Sequence, residues 1–176
     1  MTTDRPLRIG ISRCLLGEHV RHDGGHKLDN FLLETVGPDV EWVPVCPEVE
    51  VGLGTPREPM QLVGDLLAPR LVTINTRLDH TDAMIRFSAQ RARELETLNL
   101  SGFIFKSASP SCGIKGVALV DDQGRASHAG IGLFARVFMK HFALMPVEEE
   151  ARLHDPEALR FFLERVWDYC RSCYRA

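Results

Sequence analysis

The sequence predicts an α/β fold of three layers, a mostly parallel, Rossmann-like sheet with helices on both faces. Two observations carry that expectation. Short apolar runs alternate with helical patterns along the chain, the order that strand-helix-strand units produce. In addition, 176 residues with 44% apolar content suffice for one hydrophobic core rather than two.

Leu7 to Ser12 is a β-branched, apolar run ending in a Gly-containing loop, and Asp29 to Val36 beyond it reads as a helix stopped by Gly37-Pro38. Glu41 to Val45 gives a second strand, in which Pro44 suits an edge position because proline has no N–H for a ladder. It breaks at Cys46-Pro47 into a Gly/Pro-rich loop running to about Met60. A further extended piece is expected at Leu71 to Ile74. The longest helical pattern spans about Asp79 to Leu98, with Met84, Phe87, Leu95 and Leu98 inward and Arg86, Arg93 and Glu96 outward. Ser101 to Lys106 (SGFIFK) is a compact apolar strand, Ser107 to Gly116 a polar loop, and Val117 to Val120 a short strand before the turn Asp121-Asp122-Gln123-Gly124. A helix near Ile131 to His141 follows. Pro146 to Pro156 (PVEEEARLHDP) has the composition of a linker, after which Asp155-Pro156 starts a last helix with the apolar stripe Leu159, Phe162, Val166 and Tyr169. The expected division is a main domain over 1–145 and a linker with a C-terminal helix over 146–176.

The 21 basic and 24 acidic residues leave a formal charge of −3, so a nucleic-acid contact would need a local basic patch. Met1 to Pro6 is short and polar, and the apolar stretch after it is broken by Arg13. Neither a signal peptide nor a membrane span is therefore expected, and the expected location is the cytoplasm. Five widely spaced cysteines, an odd number, argue against a disulfide framework and for buried thiols, metal ligands or a reactive thiol.

Cys14 closes the first strand, Cys46 closes the second, and Cys112 lies in the loop after SGFIFK. In a parallel sheet all three converge at the carboxyl edge, where open α/β sheets place ligands. Three thiolates suit a 4Fe-4S cluster with one iron left open. The same count suits a three-cysteine zinc site, and ordinary buried thiols are the plain alternative. Each cysteine has Gly, Pro or Ser neighbours, which let backbone amides approach cluster sulfurs.

The segments SRCLLG, RHDGGHK, VPVCPEVEVGLGTPREP and FKSASPSCG, in that order, resemble the TudS-type thiouracil desulfidase family over about residues 7 to 140. The resemblance implies a 4Fe-4S cluster on Cys14, Cys46 and Cys112, and a thiolated uracil base, nucleoside or nucleotide as substrate. The tail PVEEEARLHDPEALRFFLERVW is similar to the junction in longer members that carry a second, helical domain and act as tRNA 4-thiouridine desulfidases. That makes tRNA a further candidate partner; no protein or membrane partner is expected.

Glu48, two residues after a ligand-type cysteine, is the expected proton carrier beside the open iron; Glu50 and Glu58 read as solvated loop acids. Ser109 and Ser111 flank Pro110, and a hydroxyl there suits a hydrogen bond to the pyrimidine edge, with Ser109 preferred by resemblance. Arg21, Asp23, Lys27, Arg57 and Lys106 fall in the motif loops and form a basic rim with one acid, suited to an anionic ligand or a phosphate backbone. Gly24-Gly25 is too short for a dinucleotide fingerprint. His22, His26 and His80 lack ligand spacing and read as surface residues. Cys170 and Cys173 form a lone CxxC that continues the last helix's apolar stripe, which points to packing.

The expected reaction is hydrolytic. The open iron polarises the thiocarbonyl, water adds at the ring carbon, and hydrosulfide leaves without an external electron donor. The rival reading is a non-enzymatic module in which zinc or a cluster is structural and the basic rim binds RNA.

Overall fold

The computed structural model describes residues 7–173; the polar start Met1–Pro6, read above as no signal peptide, and residues 174–176 lie outside them. In chain order the strands are β1 (Leu7–Ser12), β2 (Val40–Val45), β3 (Met60–Gly64), β4 (Pro69–Thr73), β5 (Gly102–Phe105), β6 (Val117–Val120), β7 (Ala126–Gly130) and β8 (Val147–Glu149). The helices are α1 (Asn30–Thr35), α2 (Pro47–Glu50), α3 (Thr81–Glu96), α4 (Leu133–His141), α5 (Glu150–Leu153) and α6 (Pro156–Cys173).

Four strands form a parallel sheet in the order β2-β1-β5-β8. Side chains alternate across it. Ile9, Ile11 and Ile104 share one face with Leu32 of α1, Leu153 of α5, and Leu159, Phe162 and Val166 of α6. Phe103 and Phe105 point to the other face, against Met84 and Leu95 of α3 and Phe134 and Phe138 of α4. Helices thus cover both faces, the three-layer arrangement expected. Gly10 is required for it: a Cβ there would stand 2.2 Å from the Phe103 ring. Pro44 sits on the edge strand, as its missing N–H demands.

A second, four-stranded sheet, in the order β4-β3-β6-β7, was not expected. It is mixed: β3 pairs antiparallel with β4 and parallel with β6, while β6 and β7 pair antiparallel. Leu62, Leu71, Val117 and Leu119 turn its inner side into the same core as α3 and α4. Val117 to Val120 therefore belongs to this sheet, not to the parallel one, and Met60 begins a strand rather than ending a loop. Val147 to Glu149, inside the linker-like stretch, pairs with β5 and completes the parallel sheet. The last helix packs back through Leu159, Phe162, Val166 and Cys170, but Cys173 is exposed, so the packing reading of the CxxC holds for Cys170 alone. Among the described residues, no helix is long and apolar enough to cross a membrane.

Candidate active site

The parallel register brings the carboxyl ends of β1, β2 and β5 to one edge. Cys14 lies in the 3₁₀ turn Arg13–Leu16, which ends at Gly17 with φ +86°, a left-handed value that glycine adopts at no steric cost. The Cys14 carbonyl accepts from Gly17 N at 3.3 Å and from Lys27 N at 2.8 Å, tying the turn to the Arg21–Lys27 loop. Cys46 caps the short helix α2. Cys112 stands in a loop turned by Ser109, whose Oγ accepts from the N–H groups of Ser111 at 3.2 Å and Cys112 at 3.0 Å. The start of α4 holds that loop from behind: Gly132, Leu133 and Ala135 donate their N–H groups to the carbonyls of Gly113, Pro110 and Ser111.

All three cysteines are buried and line one cavity of about 360 Å³, together with Glu48, Arg21, Lys27, Arg57, Lys106 and Ser109. Burial pushes the Cys14 thiol up to about 11, and the charge of Cys46 adds to the shift. Cys46 is raised chiefly by burial, with an N–H bond from Val49 opposing and Glu48 adding. Cys112 is raised well above an ordinary thiol, first by burial and next by Cys46. Burial thus favours the thiol form at all three, and holding them as thiolates would take positive charge placed among them, as a metal centre supplies.

Residues 9–150 match the family described as 2-thiouracil desulfurase. The chain belongs to that family. It is 33% identical to a solved 4Fe-4S-dependent thiouracil desulfidase, TudS, with a TM-score of 0.68 over 89% of this chain and 99% of that one. It is also 32% identical over 111 residues to the uncharacterized protein YbbK of Bacillus subtilis, covering 60% of this chain and 72% of that protein. The three-layer fold is shared with a desulfidase, and the chain is an enzyme of the desulfurase class.

Within this desulfurase, the Glu48 carboxylate is held on both oxygens. Oε2 accepts from Arg57 Nε at 2.8 Å and Nη2 at 2.5 Å, and Oε1 accepts from the Ser111 hydroxyl at 2.8 Å. Ser111 is fully buried and does not line the cavity, so its hydroxyl faces Glu48 and not a pyrimidine edge. Arg57, expected on a basic rim, is nearly buried; its Nη1 also donates to the Gly54 carbonyl at 2.8 Å. Lys106 is likewise engaged: its ammonium donates to Glu150 Oε1 at 2.5 Å, Ser107 Oγ at 2.9 Å and the Ser107 carbonyl at 3.0 Å. Those are all three of its protons. Lys27 is exposed at the cavity mouth, and Arg21 beside it has only a loose pairing with Asp23 at 3.9 Å. Asp23 itself does not line the cavity; it accepts from Gly25 N at 2.9 Å, which holds its carboxyl below the usual range and fixes the turn.

Glu50 is not a solvated loop acid, whereas Glu58 stays at the surface of its loop as expected. Glu50 accepts from the Cys46 N–H at 2.8 Å and pairs with Arg91 at 2.9 Å and Arg13 at 3.4 Å, linking Cys46 to α3 and to the turn of Cys14. Glu58 accepts from the backbone N–H groups of Asn75 and Thr76 and from the Thr76 hydroxyl, closing the turn after β4. His22 lines the cavity, although its spacing marked it as surface. Glu149 and Glu150 escaped the sequence reading altogether. Glu149 accepts from Ile114 N at 2.9 Å, and Glu150 accepts from Ser107 N at 2.6 Å and Ser107 Oγ at 2.8 Å, so the acidic run grips the Cys112 loop at both ends.

Proposed function

We propose that this desulfurase holds a 4Fe-4S cluster on Cys14, Cys46 and Cys112 and removes sulfur from a thiolated uracil by hydrolysis, giving the oxo base and hydrosulfide. The observation that carries the reading is the convergence of three buried cysteines from three parallel strand ends on one cavity that also holds Glu48. The donor set fits the group. Three buried free cysteines from three loops line one cavity, which matches the one thiolate per iron of a cluster with three protein-held irons.

When bound, the cluster supplies an open iron that acts as a Lewis acid on the thiocarbonyl sulfur. Glu48, fixed by Arg57 and Ser111, takes the proton of the water that adds to the ring carbon. Ser109 Oγ has its lone pairs turned to two backbone N–H groups, which leaves its O–H to donate to a pyrimidine oxygen. Water enters and hydrosulfide leaves at one carbon oxidation level, so no electron donor is consumed. Lys27 and Arg21 at the mouth suit a phosphate, which favours 4-thiouridine as a nucleotide over free 2-thiouracil. Such chemistry with reduced thiols suits the cytoplasm.

The test is anaerobic reconstitution with iron and sulfide, followed by turnover of 4-thiouridine monophosphate in ¹⁸O-water. A brown protein that releases one sulfide per uridine nucleotide and places one ¹⁸O in the base is expected. A colourless zinc protein, or sulfide release that depends on added reductant, refutes the reading.

A further inference from the structure

Arg57 and Ser111 were both expected to touch substrate, yet Arg57 lines the cavity with its N–H groups spent on protein acceptors, and Ser111 does not line it. Arg57 places two of its N–H groups on Glu48 Oε2 and a third on the Gly54 carbonyl, with its side chain only 8% exposed. Ser111 has no exposure and gives its hydroxyl proton to Glu48 Oε1. Their elements are independent: Arg57 stands in the loop between α2 and β3, and Ser111 in the loop that carries Cys112. An unclamped glutamate side chain rotates about three bonds, and its carboxylate would face the cavity for only part of the time. Two donors arriving from two loops leave one orientation.

We propose that Arg57 and Ser111 are positioning residues that aim the Glu48 carboxylate, and that neither binds substrate. The inference rests on the role given to Glu48 above. It has a second consequence. Because Ser111 precedes Cys112 directly and Glu48 follows Cys46 by two residues, the Ser111 to Glu48 bond ties two cysteine loops together behind the cavity wall.

The clamp is tested on the reconstituted enzyme with R57A, R57K and S111A alone and in the E48Q background, measuring kcat, KM, iron content and the dissociation constant for uridine monophosphate. R57A and S111A are expected to lower kcat about 10- to 100-fold, the range typical of residues that orient a first-contact group. KM, iron content and product affinity should stay within twofold. R57K should recover part of the rate, since an ammonium reaches a carboxylate oxygen but cannot span Glu48 and the Gly54 carbonyl together. In the E48Q background neither substitution should slow the enzyme further, because what they aim is already gone. A tenfold rise in KM or product dissociation constant with kcat kept would make Arg57 a substrate ligand and overturn the proposal. So would an equal further loss in the E48Q background. If E48Q alone turns over at the wild-type rate, the role of Glu48 fails first, and the clamp with it.

Discussion

Glu150 sits two parallel strands from Cys14, yet it decides how the wall of the cavity stands. Its carboxylate is buried and takes bonds from Ser107 N, Ser107 Oγ and the Lys106 ammonium. Glu150→Ala would leave that ammonium half-buried without its counter-charge, a loss of about 3 kcal/mol. In a chain of this size, thermal melting should fall by roughly 6–12 °C. Glu150→Gln keeps one acceptor oxygen but not the charge and should lose nearly as much; a Gln variant that melts close to the wild type would show that the charge is not what Lys106 needs. The thiols separate in the same way. Ser at position 14, 46 or 112 should abolish turnover and remove most of the bound iron, because two thiolates hold a cluster poorly. Cys170→Ser and Cys173→Ser should keep both, since Cys170 lies in the α6 stripe and Cys173 is exposed on the last turn. Iron analysis of the five variants checks the assignment, and a tail cysteine as damaging as the other three would break it.

Among the elements, α4 bears most directly on the site, through a contact with no side chain in it. Gly132 lets the start of the helix lie against the Cys112 loop; a Cβ there would stand 2.4 Å from the Ser111 carbonyl carbon and 2.7 Å from Cys112 N. Both neighbours are backbone and cannot swing aside. Gly132→Ala should therefore cost about 1–3 kcal/mol through overpacking. It should also displace Cys112, so that iron binding falls together with the melting temperature. Full iron occupancy in a destabilised protein would show that the loop moves without the cysteine. The same scale shows where sequence reasoning stopped. Helices α3 and α6 were legible from their 3.6-residue stripes, and the three cysteine loops from their Gly, Pro and Ser neighbours. Strand β7 (ASHAG) shows no apolar alternation because four of its five residues are exposed, and β8 is three residues long with two acids. A strand that short carries no period, and its acids read as a linker because what they grip lies more than 30 residues away in the chain. The cysteines declared themselves by chemistry at strand ends. Their supports, Glu50, Glu149 and Glu150, could be recognised only from the fold.

Over the whole molecule, the net charge of −3 leaves anion recognition to the few cations at the cavity. The sequence offers four, Arg21, Lys27, Arg57 and Lys106, which is enough for a stretch of phosphate backbone. The structure neutralises two of them internally: Arg57 belongs to Glu48 and Lys106 to Glu150. That leaves Lys27 and Arg21, which both line the cavity, for about one phosphate. Binding should then depend on salt only weakly, with log K falling against log salt at a slope of about −1, the value for one neutralised phosphate. A polynucleotide gripped along its backbone would give a slope several times steeper. Folded tRNA must also unstack its thiolated base, at a cost of a few kcal/mol that two cations would not offset. The 176-residue chain should accordingly turn over 4-thiouridine monophosphate with a higher kcat/KM than thiolated tRNA, and with a higher one than 2-thiouracil, which offers Lys27 and Arg21 no charge. Lys27→Ala with Arg21→Ala should erase the preference for the nucleotide over the free base while leaving turnover of 2-thiouracil unchanged. Competition among the three substrates at two salt concentrations reads all of these at once. A steep salt slope with tRNA preferred, or the free base preferred at both salts, would remove the one-phosphate mouth from the account of specificity.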